Sequence, residues 1–258
     1  MIGRHIRYSW ALIFLTYLGI GCDSSPNESS EPLSPSAKIL FIVSNAHHYG
    51  DSDIEAMNHF QEIILPHHEF VAAGYEVDFV SPEGGAIPIG YIHNSDTLTK
   101  QYLYDEAFMN QLEHTLSPDL IDREAYQAVY YVGGGSAMFT VPESQAIQDI
   151  SRHIYEQNGG VVSALCHGTA GLAHLKLEDG SYLVAGKKVN GVPDIFENKE
   201  APYYQEFPFS IQSIIEDHGG EFQYSEEGWD GFTLADDRLI TGQDPTGCLL
   251  YTSPSPRD

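Results

Sequence analysis

Cys166 lies where an α/β protein can use a cysteine for chemistry. It directly follows the short apolar run 161–165, which predicts a buried strand, and it precedes the segment 167–175, whose pattern is helical. A side chain at such a strand-to-helix turn projects above the carboxyl edge of the sheet. The N–H groups that begin the helix would face the sulfur and favour the thiolate, which is the nucleophilic form. We therefore interpret Cys166 as a nucleophile; the alternative is a buried structural cysteine.

A glycine-rich turn is expected at the same edge of the sheet as Cys166. The predicted strand 128–132 ends at a run of three glycines. Gly134 and Gly135 should bring backbone N–H groups near the sulfur, where together with the N–H of His167 they would hold an oxyanion. A simple tight turn is the alternative for this glycine run.

The elements that must position these residues alternate between strand and helix, which predicts an α/β domain with a mostly parallel sheet. No repeat and no second domain boundary is visible. The predicted strands are 38–44, 75–81, 128–132, 161–165 and, completing the sheet, segments near 188–192, 222–224, 232–234 and 239–241. The predicted helices are 55–73, which Pro66 should kink or break, a short one near 105–114, 142–157 and 167–175.

Four ordered motifs resemble the ThiJ/PfpI superfamily, in the branch that contains glutathione-independent glyoxalase III and the related heat-shock chaperones. They are Ser-Ala-Leu-Cys-His-Gly-Thr-Ala at 163–170, Gly-Tyr-Glu-Val-Asp-Phe-Val-Ser-Pro-Glu-Gly-Gly at 74–85, the glycine-rich turn at 133–139, and Arg-Leu-Ile-Thr-Gly-Gln-Asp-Pro at 238–245. The resemblance covers roughly 38–247. It implies a flavodoxin-like sandwich, with a mostly parallel sheet between helices in a single domain.

The resemblance also assigns roles to three further side chains. Glu62 stands where the family keeps an acid that hydrogen-bonds the cysteine and shuttles protons, and His167 matches the residue after the nucleophile. Glu197 stands where this branch has the acid that orients that histidine, although Asp194 and Glu200 are near enough to compete. Without the resemblance, Glu62 would be an ordinary solvated glutamate and His167 an ordinary histidine at a helix start. The family often has a histidine in the glycine-rich turn, which here is Gly-Gly-Gly-Ser-Ala-Met, so the substrate contacts made there do not carry over.

The activity that the resemblance implies is a cofactor-free, glyoxalase III-like conversion of methylglyoxal or a similar small dicarbonyl into a 2-hydroxy acid. The reaction would pass through a hemithioacetal on Cys166. A holding chaperone or redox-sensing protein of the same family is one alternative. The other alternative is a cysteine peptidase or amidase, in which the same thiolate would attack an acyl carbon. The family resemblance also implies a possible homodimer.

Composition and short motifs argue against several other classes of function. The chain carries 12 Lys and Arg against 37 Asp and Glu, a formal net charge of −25, so no nucleic-acid partner is expected. The pairs His47-His48 and His67-His68 suggest metal ligands, but adjacent side chains diverge, and we predict no metal site. No Gly-x-Gly-x-x-Gly sequence follows the first strand, so no cofactor is predicted.

Both ends of the chain are expected to lie outside the domain. Arg4 and Arg7 precede an apolar stretch at 11–20, which predicts a signal peptide over 1–21. The sequence Leu-Gly-Ile-Gly-Cys at 18–22 resembles a lipoprotein box, so Cys22 would carry lipid and 22–37 would form a flexible tether. The protein would then be exported and membrane-anchored, facing the periplasm or the cell exterior. An ordinary signal peptide with an incidental cysteine is the alternative.

The segment 248–258, Cys-Leu-Leu-Tyr-Thr-Ser-Pro-Ser-Pro-Arg-Asp, resembles the translation of a sequencing adapter. We therefore expect the native sequence to stop near Gly247, so that the family's C-terminal helix is missing. A native tail rich in Ser and Pro is the alternative.

Overall fold

Most of the apolar runs become strands in the computed structural model of the chain, which describes residues 37–252 and their side chains as far as residue 248. The predicted signal peptide, Cys22, the tether as far as residue 36, and residues 253–258 lie outside this range. The strands in the described range are β1 (Lys38–Ile42), β2 (Asn58–His59), β3 (Glu76–Val80), β4 (Ile89–Gly90), β5 (Tyr126–Tyr131), β6 (Val161–Leu165), β7 (Lys188–Val189), β8 (Glu221–Phe222), β9 (Thr233–Asp236) and β10 (Leu239–Gly242).

Six of these strands form the central sheet, in the order β3-β1-β5-β6-β10-β9. All neighbours are parallel except β9, which pairs antiparallel with β10 at one edge. The register sets Phe41 beside Phe79 on one side and Tyr130 on the other. The predicted α/β architecture with a mostly parallel sheet is therefore confirmed.

The expectation that segments near 188–192 and 222–224 complete this sheet is wrong. They form the separate two-stranded ribbon β7-β8. Side chains, rather than a backbone ladder, attach the ribbon to its neighbours: Asn190 Nδ2 donates to the carbonyl of Phe232 at 3.0 Å, and Asp236 Oδ2 accepts from the N–H of Lys188 at 2.9 Å.

Helices cover both faces of the sheet, because successive strand residues point to opposite sides. Leu40 and Ile42 pack in one buried cluster with Ile147, whereas Ile39 and Phe41 pack in the other with Phe60. The helices are α1 (Phe60–Ala72), α2 (Thr97–Leu103), α3 (Glu106–Glu113), α4 (Gln145–Glu156), α5 (Pro202–Gln205) and α6 (Ile211–Asp217). Within residues 37–252, no helix combines the length and apolar character needed to cross a bilayer.

The first helix differs from the sequence prediction at two points. It begins at Phe60, after the short strand β2, and it continues through Pro66 without ending. Proline has no N–H for the carbonyl four residues earlier, which is that of Glu62. The hydroxyl of Tyr130 donates to this carbonyl at 3.0 Å and satisfies it from the sheet.

Two other predicted segments also differ in detail. The region 86–125 contains the strand β4 and two helices rather than one, and Asp96 and Asp105 cap those helices by accepting backbone N–H groups. The segment after Cys166 is a 3₁₀ helix, Cys166–Leu172, rather than an α-helix over 167–175.

Candidate active site

Cys166 follows the last residue of β6 in a strained conformation. Its φ is 55°, in the left-handed region that residues with a Cβ rarely adopt, and its side chain is buried. The turn requires glycine two residues later, because a Cβ at Gly168 would lie 2.3 Å from the carbonyl oxygen of Tyr131. The sheet and this close approach together fix the direction of the sulfur.

Glu62 lies in the first turn of α1, fully buried and in contact with Cys166. Its carboxyl interacts electrostatically with the thiol, and its Oε2 accepts the N–H of Gly133 at 2.9 Å. A Cβ at Gly133 would lie 2.4 Å from that Oε2 and 3.0 Å from Cys166 Cβ. Only glycine fits between the two groups. The sequence analysis did not single out Gly133, although it is the first of the three glycines.

Burial raises the pKa values of both acidic groups in this contact. Desolvation raises the pKa of Glu62 to about 8, although hydrogen bonds from Cys166 and Gly133 oppose the shift. Desolvation and then the charge of Glu62 raise the pKa of the Cys166 thiol well above its usual range, against the N–H groups of His167 and Gly134. Burial thus opposes the thiolate that the N–H donors at the start of the 3₁₀ helix favour. The two groups titrate as a coupled pair.

His167 links the sulfur to a buried carboxylate. Its Nδ1 lies 3.5 Å from Cys166 Sγ, and its Nε2 lies 2.8 Å from Glu197 Oε1. A carboxylate at Glu197 fixes the proton on Nε2 and leaves Nδ1 free to accept a proton from the thiol. Of the three acids that the sequence left in competition, Glu197 makes this contact. Asp194 instead pairs with Lys199 at 2.7 Å, and Glu200 is exposed.

The glycine-rich turn contributes one donor to the sulfur. Gly134 has a φ of 100°, and its N–H acts together with the N–H of His167 to lower the pKa of the Cys166 thiol. Gly135 has a different observed function: a Cβ there would lie 1.8 Å from the hydroxyl of Tyr49, so the glycine makes room for that ring. The role of Gly135 as an oxyanion donor stays a prediction.

Aromatic side chains that the sequence analysis missed surround this centre. The ring of His59 stacks on Tyr91 with centroids 4.7 Å apart, and Phe207 packs edge-on against His167 at 5.5 Å. Desolvation and then the interaction with Tyr91 raise the pKa of Tyr49. No local sequence pattern distinguishes His59 from the other histidines of the chain.

The histidine pairs do not form a metal centre in the described range. His67 Nδ1 is hydrogen-bonded to the hydroxyl of Tyr102 at 3.0 Å. His47 and His48 line a separate cleft of about 280 Å³ with Glu55. Among residues 37–252, no group of three or more His, Cys, Asp or Glu side chains is arranged to hold a metal ion.

A buried cysteine at the end of a central parallel strand, in contact with a glutamate and a histidine, defines a class of α/β proteins. The chain belongs to the DJ-1/PfpI family, whose sequence profile matches residues 56–253. The resemblance found in the sequence motifs is thereby confirmed at the level of the family.

Individual relatives place the chain near one branch of that family. The glutathione-independent glyoxalase HSP31 of Saccharomyces cerevisiae is 30% identical over 200 residues, which cover 71% of this chain and 81% of the relative. The crystal structure of glyoxalase III from Candida albicans superposes with a TM-score of 0.73 at 26% identity, covering 83% of this chain and 93% of that one. Rapid Encystment Protein 24 kDa of Francisella tularensis superposes with a TM-score of 0.76 at 25% identity, covering 82% and 94%.

Proposed function

We propose that this protein is a glutathione-independent glyoxalase, which converts methylglyoxal or a similar small dicarbonyl into a 2-hydroxy acid. The observation that carries the proposal is the contact of one buried thiol, Cys166, with both Glu62 and His167. The relatives named as glutathione-independent glyoxalases support the same activity. Cys166 is only 7% exposed, which favours a small substrate over a peptide.

The first step is addition of sulfur to the aldehyde carbon. The ionised form of Glu62 takes the thiol proton as a general base while the carbon–sulfur bond forms. The aldehyde oxygen becomes an alkoxide, stabilised by the N–H groups of Gly134 and His167, and it is protonated to give a hemithioacetal.

The second step moves protons between the two carbons of the substrate. A base removes the proton from the former aldehyde carbon, and a proton is delivered to the neighbouring carbon. The hemithioacetal hydroxyl becomes a thioester carbonyl while the ketone becomes an alcohol. Glu62 and His167 supply the proton transfers. One carbon is oxidised and the other reduced, so no external oxidant or cofactor is required.

Water completes the reaction by hydrolysing the thioester. The carbon–sulfur bond breaks, the thiol of Cys166 regains its proton, and the product leaves as a 2-hydroxy acid. The sum is one dicarbonyl plus one water, which for methylglyoxal gives lactate.

The test is conversion of methylglyoxal by the purified full chain without glutathione, followed as lactate formed. Replacing Cys166 by alanine removes the nucleophile and should lower kcat/KM at least about a thousandfold. Cys248→Ala is the matched control, since it removes the other buried free cysteine of the described range. Equal activity in wild type and Cys166→Ala rejects the proposal.

We also propose that the protein is exported and anchored through lipid on Cys22. The support is sequence alone: the basic residues Arg4 and Arg7, the apolar stretch 11–20 and the small residues before the cysteine. Cells producing the chain in the presence of alkyne-labelled palmitate should label the wild type and Cys248→Ser, whereas Cys22→Ser should stay unlabelled. Label on Cys22→Ser contradicts the anchor.

A homodimer is proposed as well. Ile195, Phe196 and Trp229 are large apolar side chains left exposed on the surface, and a second copy would cover such groups. Sedimentation velocity of the full chain at micromolar concentration should show a species of twice the mass. A monomer throughout that range counts against the dimer.

A further inference from the structure

His59, the last residue of β2, is a buried polar side chain that the proposed reaction does not use. The residue is 8% exposed, and its Nδ1 is shielded from solvent with no hydrogen-bond partner in the described part of the chain. Buried polar groups in proteins nearly always have a hydrogen-bond partner, so we expect a ligand to bind at this ring nitrogen.

The position of His59 ties it to the reacting centre. Its backbone N–H donates to the carbonyl of Gly133 at 2.9 Å, and the N–H of that same glycine donates to Glu62. The ring is near enough to His167 for the two side chains to interact electrostatically. Tyr91, which stacks on His59, is half exposed and separates the imidazole from solvent.

The chemistry of this imidazole suits an uncharged oxygen ligand. Burial, followed by the charges of His93 and His167, lowers the pKa of His59 to about 4, so the ring is neutral near pH 7. A neutral imidazole offers one N–H donor and one lone pair. A carbonyl oxygen accepts from such a donor without bringing a charge into the buried site.

His67 shows that a buried histidine need not lack a hydrogen-bond partner. Burial lowers its pKa to about 4 as well, and its ring stacks on Phe79 at 5.9 Å. Its Nδ1, however, is bonded to the hydroxyl of Tyr102 at 3.0 Å. The missing partner therefore distinguishes His59 from a histidine that serves packing.

We propose that His59 binds the second oxygen of the dicarbonyl substrate, which in methylglyoxal is the ketone oxygen, while Cys166 adds to the aldehyde carbon. This inference rests on the proposed function. The hydrogen bond orients the substrate, and it strengthens when removal of the carbon-bound proton places negative charge on that oxygen. His59 neither gains nor loses a proton in the cycle.

The first experiment compares the steady-state kinetics of three variants on methylglyoxal. His59→Phe keeps a ring against Tyr91 but has no donor, and it should lower kcat/KM about 100-fold. His59→Gln keeps an N–H donor and should recover most of that loss. His67→Phe is the matched control and should stay within about twofold of wild type.

A second measurement separates substrate binding from damage to the fold. Methyl methanethiosulfonate labels the thiol without presenting a carbonyl, so its rate at Cys166 should be the same in wild type and His59→Phe. Diacetyl has two adjacent carbonyls but no aldehyde hydrogen to transfer, and it should protect Cys166 from the label. His59→Phe should raise the half-protecting concentration of diacetyl at least about tenfold.

The outcomes distinguish the inference from the function on which it rests. A wild type that does not convert methylglyoxal overturns the proposed function, and the diacetyl assay then decides the role of His59 independently. Unchanged kinetics and unchanged protection in His59→Phe overturn the inference. So does an equal loss in the labelling rate and in turnover, which would show that His59 only supports the structure.

Discussion

At the scale of single residues, the chemistry depends on a proton shared by two buried groups. Desolvation raises the pKa of both Glu62 and Cys166. The charge of Glu62 raises the pKa of the thiol further, whereas the contact with Cys166 lowers that of Glu62. The resting site is therefore neutral. The thiol becomes nucleophilic when Glu62 accepts its proton.

The first prediction concerns the pH dependence of this pair. Below about pH 8 Glu62 is mostly protonated and cannot accept the thiol proton, so kcat/KM should rise with pH and level off above that value. Glu62→Gln should remove this rise and lower the plateau. Stopped-flow measurements of kcat/KM between pH 6 and pH 9 would test this pH dependence. A wild-type kcat/KM that does not change with pH would contradict the assignment of Glu62 as the base.

At the scale of elements, α1 holds Glu62 in place through an irregular helix. Pro66 leaves the carbonyl of Glu62 without its helical donor, and Tyr130 of β5 donates instead. The helix is thereby bonded to the sheet at the residue whose side chain reaches Cys166.

The second prediction tests this link by a double-mutant cycle. Tyr130→Phe should lower the free energy of unfolding by about 1 kcal/mol or more, because it leaves a buried carbonyl unpaired. Pro66→Ala restores an N–H to that carbonyl, so it should recover part of the loss in the Tyr130→Phe background. Urea unfolding of the four proteins gives the coupling energy. Additive effects would show that the two residues do not share the carbonyl.

At the scale of the whole molecule, the dominant feature is a formal charge of −25. Few of these charges find a basic partner, since the chain has only 12 Lys and Arg. Repulsion among them destabilises the folded state.

The third prediction follows from this charge. Raising NaCl from about 10 mM to about 150 mM shortens the range of repulsion and should raise Tm by a few degrees. Circular dichroism melts would measure the shift, with KCl at equal ionic strength as the control for a specific ion effect. A Tm that stays constant or falls with salt would show that attractive ion pairs outweigh the repulsion.

Local patterns in the sequence determine the class of fold and the core of the site. The apolar run before Cys166 predicts β6 with its bounds, and the alternation of strands and helices predicts the parallel sheet, because both depend on neighbours along the chain. The spacing of Glu62 within its motif was enough to select it. Of the kink or break expected at Pro66, the break does not occur, since the compensating hydroxyl of Tyr130 comes from a distant strand.

The tertiary structure decided everything that depends on burial and on distant contacts. Asp194, Glu197 and Glu200 look alike in the sequence, and only the folded chain brings one of them within 2.8 Å of His167. His59 gave no local signal, because its unpaired nitrogen exists only after β2 packs against the glycine-rich turn. The upward shift of the pKa of Cys166 likewise depends on the tertiary structure, since desolvation is set by the atoms that surround a group in space and not by those beside it in the chain.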